Sequence, residues 1–368
     1  MTSPRRQSVA DRLPDFPWDV LAPYASRARE HAGGIVDLSV GTPVDPTPLL
    51  VREALAAAAD APGYPTAWGT PELREACTGW LARSLGAQVA PTAIVPGIGT
   101  KELVASLPRV LGIAPGSRIA IPRIAYPTYA VGAVLAGCEP VPVDDPREVD
   151  DAALVWLNSP SNPTGAVLPA QDQAAVVAWA RERGAVVVAD ECYIELGWDA
   201  APVSVLHPSV CGDAHDGVLA VHSLSKRSNL AGYRFGFVAG DATLLGEVLA
   251  VRKHSGMMVP APVQAAAIAA LEDDVHVQEQ RARYARRRAV LRSALEGAGF
   301  RIDHGEAGLY LWATRDEPCW DSVAWCADRG VLVTPGDFYG VAGAQHVRVA
   351  FTATDAQVDQ VPGRLQRR

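Results

Sequence analysis

Along the middle of the chain, short apolar runs alternate with stretches in which polar and apolar positions recur at helical spacing. The runs at 93–95, 118–121, 154–157, 186–189, 218–222 and 235–239 read as strands, and the stretches at 101–111 and 171–183 read as helices, the second closed by Gly184. Buried strands interleaved with helices predict a mostly parallel sheet covered by helices. A long helical pattern then spans 272–298, and strand-like segments follow at 308–313, 331–334 and 347–351. That change of texture predicts a smaller C-terminal α+β domain. The N-terminal stretch, with prolines at 14, 17 and 23, is expected to pack on it as an irregular arm.

In an open sheet of this kind, ligands collect beyond the carboxyl ends of the strands. The residues at those ends are Gly97, Ile98, Gly99 and Thr100, then Tyr126, Asn158 with Asn162, Asp190, and Ser223 with Lys226. The segment VPGIGTK at 95–101 joins a strand, a glycine turn and a helix start, where an anion would meet backbone NH groups and the helix dipole. Glu102 stands where the dinucleotide fingerprint needs its third glycine, and the Gly-Lys-Ser/Thr of a nucleoside-triphosphate loop is missing. A smaller phosphate ligand and a plain strand-to-helix turn both remain open.

Composition narrows the chemistry. The chain has 368 residues, 49% of them apolar, and a net charge of −8, which disfavours a polyanion as its main partner. The basic stretch Arg281, Arg283, Arg286, Arg287 and Arg288 falls in a helical pattern and reads as a solvated helix face. No apolar run is long enough for a membrane span, and Arg5-Arg6 lead into polar residues rather than an apolar signal core, so a cytoplasmic location is expected. Six cysteines show neither CxxC pairs nor metal-ligand spacing with histidine, so no disulfide framework and no metal are expected. Lysine usage says more. Of 33 basic residues only Lys101, Lys226 and Lys253 are lysine. Where a bare positive charge suffices this chain uses arginine, so a retained lysine points to amine chemistry that a guanidinium cannot perform.

Asp190 ends the apolar run at 186–189, placing a carboxylate at the rim of a buried sheet, where it needs a cation or a strong donor. A structural salt bridge would satisfy it; so would a protonated pyridine nitrogen, whose ring the carboxylate would keep electron-accepting. Tyr193 follows closely and could donate to a phenolic oxygen of such a ring. Ser223, Ser225 and Lys226 follow another apolar run, with Arg234 eight residues beyond the lysine. Two hydroxyls, a rare lysine and an arginine suit an imine-forming amine beside a phosphate pocket.

These segments, NSPSNPTG (158–165), ADECY (189–193), SLSKRSNLAGYR (223–234) and VRV (347–349), occur in this order in a chain that resembles the fold-type I pyridoxal-phosphate aminotransferases of class I/II over nearly its whole length. The resemblance implies a large domain at 35–284 with a mostly parallel seven-stranded sheet. It also implies a small domain built from the arm at 1–34 and the segment 285–368. It implies that Lys226 carries pyridoxal 5'-phosphate as an imine and later shuttles a proton, that Asp190 pairs with the ring nitrogen, and that Asn162 and Tyr193 hold the ring oxygen. Tyr126, in AYPTY (125–129), would stack on the ring. Gly99, Thr100, Lys101, Ser223 and Arg234 would hold the phosphate, joined by Tyr64 from the second subunit of a homodimer. Arg348 would clamp the substrate α-carboxylate, helped by the Gly41 backbone and Asn162.

LPDFPW (13–18), VDLSVGTPVDP (36–46), RKHSGMMVP (252–260) and GLYLWA (308–313) are most similar to succinyldiaminopimelate aminotransferases of lysine biosynthesis. Such an enzyme exchanges an amino group between N-succinyl-LL-2,6-diaminopimelate and 2-oxoglutarate. The long acidic tail of that substrate calls for a cation, and Arg252, Lys253 and His254 are candidates, with Arg123 and Arg227 behind them. Other class I/II aminotransferases, acting on aspartate, aromatic or prephenate substrates, and a carbon-sulfur lyase on the same cofactor are the alternatives. A regulator built on the same body would need an added DNA-binding module, and the resemblance begins within the first twenty residues.

Overall fold

The computed structural model describes residue 8, residues 10–13 and residues 17–366. Residues 14–16 of the LPDFPW segment, including Pro14, and Arg5-Arg6 lie outside the described residues. Thirteen strands are described. After a two-residue strand β1 (Val36–Asp37) come β2 (Ile94–Gly97), β3 (Arg118–Pro122), β4 (Glu139–Val143), β5 (Ala152–Asn158), β6 (Val186–Asp190), β7 (Val218–Ser223) and β8 (Gly236–Gly240). Strands β2 to β8 form one seven-stranded sheet in the order β2-β8-β7-β6-β5-β3-β4, parallel except that β8 runs antiparallel to both neighbours.

Six of these seven strands coincide with the apolar runs, because strands buried on both faces read as continuous hydrophobic sequence. The seventh, β4, is absent from that reading. Its sequence EPVPV carries Pro140 and Pro142, which cannot donate to a ladder; β4 tolerates them as an edge strand paired only to β3. Helices cover the sheet, among them Thr100–Val110 and Ala170–Arg183, the latter closed by Gly184 at φ 67°.

A four-stranded antiparallel sheet, β12-β13-β10-β9, forms a second core from β9 (Arg301–His304), β10 (Tyr310–Thr314), β12 (Thr334–Pro335) and β13 (His346–Ala350). The single strand expected at 331–334 is split: β11 (Val331–Leu332) pairs in parallel with β1, while β12 joins the sheet. The N-terminal stretch is more regular than expected. Pro23 opens the helix Ala22–Arg29, whose Tyr24 ring meets Trp320 of the helix Cys319–Ala327 at 5.3 Å. The long helical pattern is the helix Val275–Gly297, preceded by a separate helix Ala261–Glu272, and residues 284–285, where the two domains are expected to meet, lie inside the longer one. Among the described residues no helix is long and apolar enough to cross a membrane.

The basic stretch on the helix Val275–Gly297 is solvated in part: Arg281, Arg283 and Arg286 are exposed as expected, whereas Arg288 is half-buried and Arg287 is buried. Arg287 is only 1% exposed and grips both oxygens of Asp45 at 2.6 and 2.7 Å, with its Nε on Asp355 at 2.7 Å. Arg288 reaches the Gly305 carbonyl, Arg281 the Gly197 carbonyl, and Arg286 bonds Asp359. These guanidiniums fasten the helix to segments on either side of it in sequence. Truncating one side of a buried ion pair leaves the other charge uncompensated. Arg287→Ala is therefore expected to destabilise the protein by about 3–5 kcal/mol in denaturant titration. Arg286→Ala, on an exposed pair, should cost under about 1 kcal/mol.

Candidate active site

The strand ends bring the predicted residues to one side of the large sheet. β2 leads through Gly97 and Ile98 to Gly99, which caps the helix Thr100–Val110 with no side-chain acceptor, leaving the first helical amides for a ligand. Gly99 adopts φ 80°, and a Cβ there would lie 2.2 Å from the Arg234 guanidinium. Glycine is thus required twice, by the backbone and by the approach of a cation. Arg234 itself sits in the left-handed region at φ 57° and donates to the Ala231 carbonyl at 2.9 Å. Ser223 ends β7 and caps the short helix Leu224–Arg227, its Oγ accepting from the Ser225 amide at 3.1 Å. Glycine turn, helix start, serine and arginine offer amides, a hydroxyl and a cation of the kind that would hold a phosphate. The Lys101 side chain is exposed on the first turn of the helix.

Lys226 lies in that short helix and donates to the Gly41 carbonyl at 2.6 Å. Burial pushes its pKa below the usual lysine range, and the charges of Arg348 and Arg234 act in the same direction. An amine so held loses its proton readily and can attack a carbonyl.

Asp190 ends β6 and is buried. It accepts from the Tyr129 hydroxyl at 2.8 Å and from the Cys192 amide at 3.1 Å. Neither donor brings a positive charge, and burial raises the carboxyl pKa above its ordinary value against those two hydrogen bonds. A protonated ring nitrogen supplies the missing charge. The donor set therefore fits pyridoxal phosphate: a cradle for its phosphate, an amine for its aldehyde and a buried acid for its nitrogen.

Asn162 follows a turn in which Ser159-Pro160 and Asn162-Pro163 are cis, and the Asn158 side chain holds it by accepting from its amide at 2.8 Å. Its Oδ1 accepts from Arg348 at 2.8 Å. Arg348, buried on β13, also donates to the Ser39 carbonyl at 2.6 Å and lies over the rings of Tyr310 and Tyr339, at 4.1 and 4.9 Å. Both oxygens are neutral, so neither cancels the charge that would meet a carboxylate. The Tyr193 hydroxyl is 3.0 Å from that of Tyr310. Tyr126, half-buried, stands edge-on to Tyr129 at 6.1 Å. Tyr64 is 96% exposed on the single chain.

The cations expected for an acidic tail fare differently. Arg252 is buried and grips Glu102 with two bonds, at 2.8 and 3.0 Å; Arg227 is buried against Glu195 and donates to the Ala270 carbonyl at 2.9 Å; Arg123 pairs with Asp144 at 2.8 Å. Arg252 and Arg227 are buried in pairs with carboxylates that local sequence does not reveal, whereas the Arg123 pair is exposed. Lys253 and His254 are exposed in the last turn of the helix Ala242–Ser255. Sequence reading also passed over Tyr129, Tyr310 and Tyr339. For Tyr129 a signal existed: it falls three residues after Tyr126, one helical turn from the same strand end.

Residues 34–365 match the family Aminotransferase class I and II, and the chain belongs to that family, whose members depend on pyridoxal phosphate. It is 61% identical over 355 residues to 4-dedimethylamino-4-oxo-anhydrotetracycline transaminase OxyQ of Streptomyces rimosus, covering 96% of this chain and 99% of that one. It is 59% identical over 366 residues to the probable aminotransferase Rv1178 of Mycobacterium tuberculosis, covering 99% of this chain and 88% of the other. Among solved structures, substrate-bound BacF from Bacillus subtilis superposes with a TM-score of 0.88 at 26% identity, over 99% of this chain and 98% of that one. The fold is that of the fold-type I aminotransferases.

Proposed function

We propose that this aminotransferase exchanges an amino group between an α-amino acid and a 2-oxo acid, with N-succinyl-LL-2,6-diaminopimelate and 2-oxoglutarate as the pair. One observation carries the general reading. The carbonyls of Ser39 and Gly41, two residues apart, receive Arg348 and Lys226 respectively. A cation suited to a carboxylate and a nucleophilic amine are thus anchored on one short segment, close enough that the charge of Arg348 acts on Lys226, as a ligand with adjoining carboxylate and amino groups needs.

Bound here, pyridoxal phosphate supplies an aldehyde for reversible bonding to amines and a ring that absorbs charge from the α-carbon. Asp190 would hold the proton on the ring nitrogen, and Asn162 and Tyr193 would donate to the ring oxygen. Tyr126 would lie against the ring face. Gly99, Thr100, Lys101, Ser223 and Arg234 hold the phosphate, with the Gly99–Lys101 turn contributing backbone amides. Arg348 would turn the substrate so that its α-hydrogen faces Lys226, whose Nζ would take the proton from the α-carbon and hold it for return on the far side of the amino nitrogen. Tyr64, exposed on one chain, reaches the phosphate of a second copy in a homodimer.

A half-reaction screen tests the substrate pair. Holoenzyme mixed with single amino donors should change its visible absorption with glutamate and with succinyldiaminopimelate; failure of both while another amine succeeds refutes the narrow assignment. With 2-oxoglutarate present, glutamate as product marks amino transfer, whereas pyruvate or ammonia marks carbon-sulfur lysis. The 61% identity to a tetracycline-pathway transaminase favours a second reading, in which the acceptor is a polycyclic ketone. Arg348→Lys separates the two. It should lower kcat/KM about 100-fold toward acceptors with an α-carboxylate, because an ammonium cannot bind both oxygens in one plane. A ketone lacking that group should be unaffected in the acceptor half-reaction.

A further inference from the structure

We infer that Tyr310 is a positioning residue that couples the carboxylate grip of Arg348 to the ring-oxygen donor Tyr193; the inference rests on the role of Tyr193 in the reading above. On β10, Tyr310 pairs with Ala350 and Trp312 with Arg348. Tyr310 and Arg348 are therefore diagonal neighbours on one face of adjacent strands. The guanidinium lies 4.1 Å from the centroid of the Tyr310 ring, and Tyr310 is buried. A cation desolvated on an aromatic face is held in one plane, the geometry a bidentate carboxylate needs.

The other end of the same side chain meets the chemistry. Its hydroxyl is 3.0 Å from that of Tyr193, and a Cβ on Gly41 would lie 2.2 Å from it. Gly41 is the residue whose carbonyl receives Lys226. A phenol has one proton to give. If Tyr193 gives its proton to the ring oxygen, it must accept from Tyr310, so the direction of the shared bond is fixed. A donor that is itself accepting is a stronger donor. Tyr310 thereby strengthens the hydrogen bond that stabilises negative charge on the ring oxygen, while its ring seats Arg348.

The test uses holoenzyme and reads the pH midpoint of its visible absorption beside kinetics. Tyr193→Phe should raise that midpoint, since the ring oxygen loses its donor. Tyr310→Phe should raise it by a smaller amount, roughly a few tenths of a pH unit. The double variant should titrate like Tyr193→Phe alone, because the Tyr310 hydroxyl acts through Tyr193. Tyr310→Phe keeps its ring and should leave KM for glutamate within about twofold, whereas Tyr310→Leu should raise it about tenfold. Thermal melting of each variant checks the fold.

A Tyr310→Phe enzyme that titrates like the parent while Tyr193→Phe shifts would overturn the inference. So would a Tyr310→Phe shift that persists in full on the Tyr193→Phe background. A flat Tyr193→Phe titration instead removes the role of Tyr193, and with it the coupling.

Discussion

Lys226→Ala is expected to lower turnover by roughly 10⁴-fold or more while the protein still folds. In the proposed reading this amine both bonds to the cofactor and moves the α-proton, so no neighbouring group covers its loss. The side chains around it are phenols, a thiol and two guanidiniums, Arg348 and Arg234, and a guanidinium does not give up its proton in a protein. Stability should change little. The Nζ contact is a single hydrogen bond to the Gly41 carbonyl, worth about 1 kcal/mol net, and its removal also relieves the burial of an amine. Single-turnover formation of glutamate and a melting curve separate the two effects. Lys226→Arg should fail equally, because the charge is kept and the chemistry is lost.

Asp190→Asn should lower kcat by about 10³-fold, the scale of losing one preorganised charge at a reacting centre. The amide preserves shape, so Tyr129 and the Cys192 amide keep a partner, but nothing holds a proton on the ring nitrogen. The same residue sets a pH dependence in the cofactor-free protein. Burial raises the folded pKa of Asp190 above its unfolded value, so between the two the folded state binds more protons. Stability from this group is then fully present below the ordinary carboxylate range and falls as pH rises through the folded pKa. Melting of the cofactor-free protein across that window should show the decline, and Asp190→Asn should flatten it. Loading the cofactor should also flatten it, because a cation then meets the carboxylate.

How far the sequence could be read depended on whether a residue's partners were near it in the chain. Strands buried on both faces are legible as apolar runs, and some residues at their ends meet: Asn158 donates to the Asp190 carbonyl, and Arg234 closes on Gly99. β4 escaped because Pro140 and Pro142 mimic a loop, and only its edge position makes them compatible with a strand. The pairing of Arg252 and Arg287 is not legible locally because Glu102 and Asp45, which neutralise them, lie 150 and 242 residues away. A long-range ion pair leaves no local periodicity. Tyr129 and Tyr310 were passed over for the same reason: they touch Asp190 and Tyr193 across 61 and 117 residues. Motifs exposed the groups expected to meet the cofactor, and the fold was needed to find what holds those groups in place.

Borohydride treatment of the loaded protein, followed by peptide mapping, examines the amine itself. The cofactor should be fixed to Lys226, within the peptide that also carries Ser223 and Ser225. Attachment at Lys101 or Lys253, or at no lysine, would contradict the account.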